Sequence, residues 1–139
     1  MLAAVYFHYD ELIHTLHRQL HSHRKKIGAR NKTGIEWIRY LARKMARGQP
    51  NGPVSYLFVD EMQLPTVGDC TLVVPFLSEL RSHGCTIIAT SNKAPEQLFK
   101  VQGLYPALQS QLNELVSDME PCEVVGPDYR QLASSSDPS

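Results

Sequence analysis

The spacing of apolar positions changes period several times along this chain. Residues 3 to 8 (Ala-Ala-Val-Tyr-Phe-His) read as a short strand. From Tyr9 to about His23 the spacing becomes helical, with Leu12, Leu16 and Leu20 at i, i+4 and i+8 and Ile13 beside them. Residues 24 to 32 carry Arg24, Lys25, Lys26, Arg30 and Lys32 and read as a basic loop. A second helix is predicted from about Thr33, an N-cap candidate, to Arg47, with Ile35, Ile38, Leu41, Ala42 and Met45 on its apolar face. Gly48-Gln49-Pro50-Asn51-Gly52-Pro53 breaks the pattern. Tyr56-Leu57-Phe58-Val59 is then a continuous apolar run, the mark of a strand buried on both faces. Helical spacing returns from about Thr66 to His83, with Leu72, Phe76, Leu77 and Leu80 inward and Gly84 closing the helix. Cys85 to Thr90 is a second β-branched, apolar strand. A short helix after Pro95, a longer one from about Pro106 to Met119, and a last strand at Glu123-Val124-Val125 complete the pattern.

Strands and helices that alternate over short connections predict an α/β domain with a mostly parallel sheet, and exclude an all-β sandwich and a helical bundle. Residues 1 to 132 are expected to form one domain, and the Ser/Asp/Pro-rich residues 133 to 139 a disordered tail. The 139 residues suffice for one core. Fourteen basic residues balance fourteen acidic ones, so no global field steers the chain to nucleic acid or anionic lipid. No apolar stretch approaches the length of a membrane span. Cys70, Cys85 and Cys122 are odd in number and lack a CxxC pair, which fits a reducing compartment and gives no zinc signature.

The chemistry concentrates where the apolar run ends. Asp60 and Glu61 follow Val59 directly, at the carboxyl end of a predicted parallel strand, the edge where open α/β sheets bind ligands. This is the form of a Walker B element. Its first acid helps hold Mg²⁺ on a nucleotide, and its second orients or deprotonates the attacking water. The plainer alternative is a strand that stops at two solvated acids. The next strand runs through Thr90 into Ser91-Asn92, a sensor position in which an amide both donates and accepts. A βαβ unit would put both polar tips on one edge of the sheet.

These residues resemble the ZapE/AFG-like P-loop ATPase family, on the AAA+ side of the P-loop class. The resemblance rests on Asp60-Glu61-Met62-Gln63 followed by Asp69, on Gly84 with Ala89-Thr90-Ser91-Asn92, and on Pro95 and Leu98. Phe7-His8, His14 with Leu16-His17, Gly103-Leu104 and Asp128-Tyr129-Arg130 extend it over nearly the whole chain. It implies a partial P-loop NTPase fold (ASCE/AAA+-like): a parallel sheet flanked by helices and lacking the phosphate-loop strand. It implies ATP and Mg²⁺ as ligands and ATP hydrolysis as the reaction. Asp60 would be the metal acid, Glu61 the catalytic carboxylate and Asn92 the γ-phosphate sensor, with all three at the nucleotide. It also implies a mitochondrial location for a eukaryotic member and a cytoplasmic one for a bacterial member, membrane-peripheral at most. Other subunits of a homo-oligomer or client proteins would be its partners, with no specific nucleic acid.

The phosphate loop G-x-x-x-x-G-K-[ST] does not occur in the sequence. Residues Lys26 to Thr33 end in Lys-Thr, but Lys26 and Asn31 stand where glycines are required. In the family this loop precedes the Phe-His segment, so the chain is expected to begin after it and to be inactive by itself. The sheet is then expected to show a groove of unpaired backbone and apolar side chains, beside the strands that end at Asp60 and at Thr90. Tyr105-Pro106 stands where the family carries an Arg, which puts a charge-stabilising residue in doubt. A catalytically dead interaction module on the same scaffold is the alternative. His14, His17 and His21 share a helix face without a further ligand type and read as a solvated or partner-facing stripe. No aromatic residues interleave with the basic loop, which reads as solvated, and Trp37 reads as core or semi-core, with a partner contact as the alternative.

Overall fold

The structure, a computed structural model, describes residues 3–27, 34–48 and 52–124. The elements follow in the order β1 (Ala3–His8), α1 (Tyr9–Ile27), α2 (Gly34–Arg47), β2 (Val54–Asp60), α3 (Val67–Ser82), β3 (Thr86–Ala89), α4 (Pro95–Leu98) and α5 (Pro106–Ser117). The strands form one sheet in the order β1-β2-β3, and both pairings are parallel. The α/β expectation and the parallel sheet flanked by helices are therefore what the chain forms.

Register explains the core. Leu57 pairs with Val5 and Ile87, and Val59 with Phe7 and Ala89. Because side chains alternate along a strand, these positions share one face of the sheet. On that face Leu57 and Val59 are fully buried against Leu12 and Leu16 of α1, Ile38 and Ala42 of α2, and the apolar side of α3. Helix α3 is the most deeply buried, from Leu72 through Leu77 and at Leu80. Thr66 caps its start by accepting the Asp69 N–H at 3.1 Å. Gly84 follows its C-cap, His83, with a φ of 87°, a conformation that only glycine adopts without strain. Helix α5 packs on α3 through Leu108, Leu112 and Leu115, and Arg81 ties the pair by donating to the Asp118 carboxylate and to the Glu114 carbonyl.

The other face corrects one expectation. Tyr6, Phe58 and Ile88 align across the three strands and are 61%, 37% and 40% exposed. Among the described residues no helix covers this face, so β2 is buried on one side only. The expected groove lies beside only one of the two strands, the one that ends at Thr90. β2 pairs directly with β3, and the groove, about 1180 Å³, lies beyond β3, lined by Ile87, Ile88, Leu98, Phe99, Val116 and Met119. Glu123 and Val124 form no strand, and Val124 is 95% exposed, since a short segment without a hydrogen-bonded neighbour has no ladder to join. Val125 and the expected tail lie outside the described residues.

Helix α1 also outruns its predicted end. Arg24 and Lys25 belong to its last turns and are exposed. Lys and Arg are good helix formers, so a basic stretch can extend a helix as readily as leave it. Arg30, Lys32 and Thr33 lie outside the described residues. His14, His17 and His21 are exposed on α1. Trp37 is half-buried on α2, stacked between His23 at 4.3 Å and Tyr40 at 5.2 Å between ring centroids. Its indole N–H donates to the Gln19 carbonyl at 3.2 Å.

Candidate functional site

Asp60 is the last residue of β2, and Glu61 follows it in a turn. Because β2 runs parallel to both neighbours, its carboxyl end lies level with the ends of β1 and β3. That alignment brings side chains from all three strands onto the two acids.

Asp60 is gripped on both oxygens. The Thr90 hydroxyl donates to Oδ1 and the Tyr6 hydroxyl to Oδ2, each at 2.6 Å. These bonds stabilise the carboxylate, so the Asp60 carboxyl is held below its ordinary value, first by Thr90 and then by Tyr6. The reciprocal effect falls on Tyr6, whose phenol is raised mainly by its bond to Asp60. The Thr90 oxygen also accepts the Glu61 N–H at 2.9 Å. Glu61 has a φ of 53°, in the left-handed region that costs a non-glycine residue about 1–2 kcal/mol. The chain thus bends sharply just after Asp60. Glu61 Oε2 then sits 3.0 Å from Nε2 of His8, the last residue of β1, and this contact raises the His8 imidazole above its ordinary value.

Beneath the acids, Met62 N–H donates to the Thr90 carbonyl at 2.7 Å, and Thr90 N–H to the Val59 carbonyl at 3.0 Å. Ser91 Oγ donates to the Met62 carbonyl at 3.0 Å and accepts the Lys93 N–H at 3.1 Å. Asn92 lies in this turn, two residues past Thr90, and is exposed. The structure therefore gathers Asp60, Glu61, Thr90, Tyr6 and His8 into one hydrogen-bonded cluster, with Asn92 on the adjoining turn. A second polar cluster lies at the start of α3, where the buried Tyr9 hydroxyl donates to Asp69 at 2.9 Å. Burial, and then Asp69, push that phenol far up.

Tyr6, His8 and Thr90 are the participants that the sequence reading did not assign. Tyr6 and His8 stand two apart on β1 and so share a face, which was a readable signal. Which strand they would lie beside was not readable from spacing.

The cluster fits a hydrated divalent cation. Asp60 has its carboxyl held below the ordinary value, is partly exposed and is immobilised, and each carboxylate oxygen keeps a second lone pair when it accepts one hydroxyl. Mg²⁺ is characteristically held by one or two carboxylates through retained waters. No group of three or more His, Cys, Asp or Glu side chains able to cage a metal occurs among the described residues, so a closed protein site is not what this edge offers.

A parallel sheet with adjacent acids at its carboxyl edge, flanked by helices, is a partial P-loop NTPase-like fold. A family model described as AFG1-like ATPase matches residues 9–138, nearly the whole chain. The chain belongs to the AFG1-like ATPase family. No solved structure matches it.

Proposed function

We propose that this chain carries the metal and water half of an ATP-hydrolysing site. The observation that carries the reading is an adjacent, hydrogen-bonded acid pair at the carboxyl edge of the sheet, in a member of an ATPase family. Asp60 would hold Mg²⁺ through water, and the ion, when bound, supplies charge neutralisation for the phosphates. Glu61 would accept hydrogen bonds from the attacking water and take its proton as the water oxygen bonds to the γ-phosphorus, while the bond from that phosphorus to the β,γ-bridging oxygen breaks and ADP leaves. Asn92 would hydrogen-bond the γ-phosphate or that water. Tyr6 and Thr90 would keep Asp60 ionised and oriented. Homo-oligomer subunits or client proteins as partners, and a mitochondrial or bacterial cytoplasmic location, belong to the same family-based proposal.

A second reading has its own support. Tyr105-Pro106 opens α5 where the family carries an Arg, which a dead interaction module would not need. Phosphate release from Mg-ATP distinguishes the two, measured on the chain alone and on the chain fused behind a strand, glycine-rich Lys-Thr loop and helix. The first reading expects no turnover from the chain alone. It expects turnover from the fusion that Glu61→Gln abolishes and Asn92→Ala reduces by about tenfold or more. A fusion that binds Mg-ATP without hydrolysing it, or does not bind it, supports the interaction module.

A further inference from the structure

One imidazole joins the start of α1 to Glu61. His8 ends β1 and immediately precedes Tyr9, the first residue of α1. Its Nδ1 accepts the Asp10 backbone N–H at 3.2 Å, and its own backbone N–H donates to Glu11 Oε1 at 3.3 Å. This is a reciprocal helix cap, with a ring nitrogen in the place usually taken by a serine or threonine hydroxyl. A nitrogen that accepts an N–H has a free lone pair, so in the neutral ring the proton resides on Nε2. Nε2 is the atom 3.0 Å from Glu61 Oε2, and it therefore donates. In the imidazolium Nε2 still donates to Glu61, but Nδ1 is protonated as well and can no longer accept the Asp10 N–H, so the cap belongs to the neutral ring, and Nδ1–H would instead face the Asp10 carboxylate 3.8 Å away.

Glu61 has few other restraints. Its side chain is 58% exposed, on a backbone bent into the left-handed region. An exposed glutamate samples several rotamers unless a partner selects one. We infer that His8 is a positioning residue for Glu61: capping α1 fixes the ring's tautomer and orientation, and Nε2–H then holds the carboxylate in one place. The inference deepens the proposed function and takes from it the reading of Glu61 as the water-activating group. A carboxylate offers about four acceptor sites, so the His8 bond leaves acceptors for water.

The rival account makes His8 a helix cap and nothing more. Two variants separate the roles. His8→Asn keeps a side chain strongly favoured at the cap but is too short to reach Glu61. His8→Gln places an amide N–H close to the position of Nε2. Nuclear magnetic resonance without nucleotide, with every chain carrying Ile88→Lys to suppress association through the exposed sheet face, gives two readouts: the nitrogen shift pattern of His8, which reports the tautomer, and the three-bond couplings about Cα–Cβ of Glu61, which report its rotamers. We expect the Nε2–H tautomer and one dominant Glu61 rotamer in the parent chain. His8→Asn should keep a melting temperature close to the parent's while the Glu61 couplings average, and His8→Gln should restore the single rotamer. Glu61→Gln, which leaves the ring untouched, should shift the His8 Nε2 resonance. An Nδ1–H tautomer, or Glu61 couplings that do not change in His8→Asn, would overturn the inference. Since no nucleotide is present, failure of the fusion to turn over ATP would leave this result standing, and the converse also holds.

Discussion

Thr90 makes four hydrogen bonds at the junction of β2 and β3, through its backbone N–H, its carbonyl and both capacities of its hydroxyl. The hydroxyl both donates to Asp60 and accepts from the backbone of a residue in a strained conformation. Valine matches its shape without its oxygen. Thr90→Val should therefore lower stability by about 1–2 kcal/mol, as expected for two partly exposed hydrogen bonds, and denaturant titration measures it. The substitution should also raise the Asp60 carboxyl, since the largest cause of its lowering is removed. Residue-scale detail of this kind was only half legible. Asp60 and Glu61 stood out because acids follow an apolar run. Tyr6 did not, and Thr90 and His8 carried the resemblance without a role, because what they do lies in cross-strand register, which local sequence does not encode.

At the scale of the element, α3 was read most faithfully. Thr66, the inward leucines and Gly84 supply a start, a buried side and a stop that agree. Apolar periodicity predicts too short an α1, because the basic end of that helix obeys helix propensity while lacking the periodicity. The run Tyr56 to Val59 predicts a doubly buried β2, because such a run looks the same whether one or both faces are covered. Burial of α3 also has a titratable consequence. Burial pushes the Cys70 thiol from an ordinary 9.0 up to about 11. Between those values the unfolded chain has lost the proton that the folded chain keeps. Stability is then intact below pH 9 and falls as pH rises, by at most about 1.4 kcal/mol per pH unit from this thiol. Cys85 and Tyr9, both raised chiefly by burial, act in the same direction. Denaturant melts at pH 8, 9 and 10 should show the decline, and Cys70→Ala should make it shallower.

For the whole molecule, the dominant fact is an imbalance between the two sides of the sheet. One side meets three helices, and the other presents Tyr6, Phe58 and Ile88 to solvent next to the outer edge of β3. Exposed apolar strands at an open edge favour self-association. The chain by itself should therefore be of low stability and should aggregate as concentration rises. Ile88→Lys should reduce that association in light scattering at little cost to folding, because the position is already part-exposed and a charge on an edge strand blocks pairing. A melting transition that is cooperative, highly stable and independent of concentration would contradict this.

The stack on α2 gives the molecule an optical probe of its own. Trp37 is the sole tryptophan, wedged between His23 and Tyr40 and tied to the α1 backbone. Its emission colour and its quenching by the neighbouring imidazole register whether the first two helices remain docked. Circular dichroism registers the secondary structure of the entire chain. If fluorescence changes at lower denaturant than ellipticity, this helical corner detaches before the sheet melts, and the order of disassembly is obtained without adding a label.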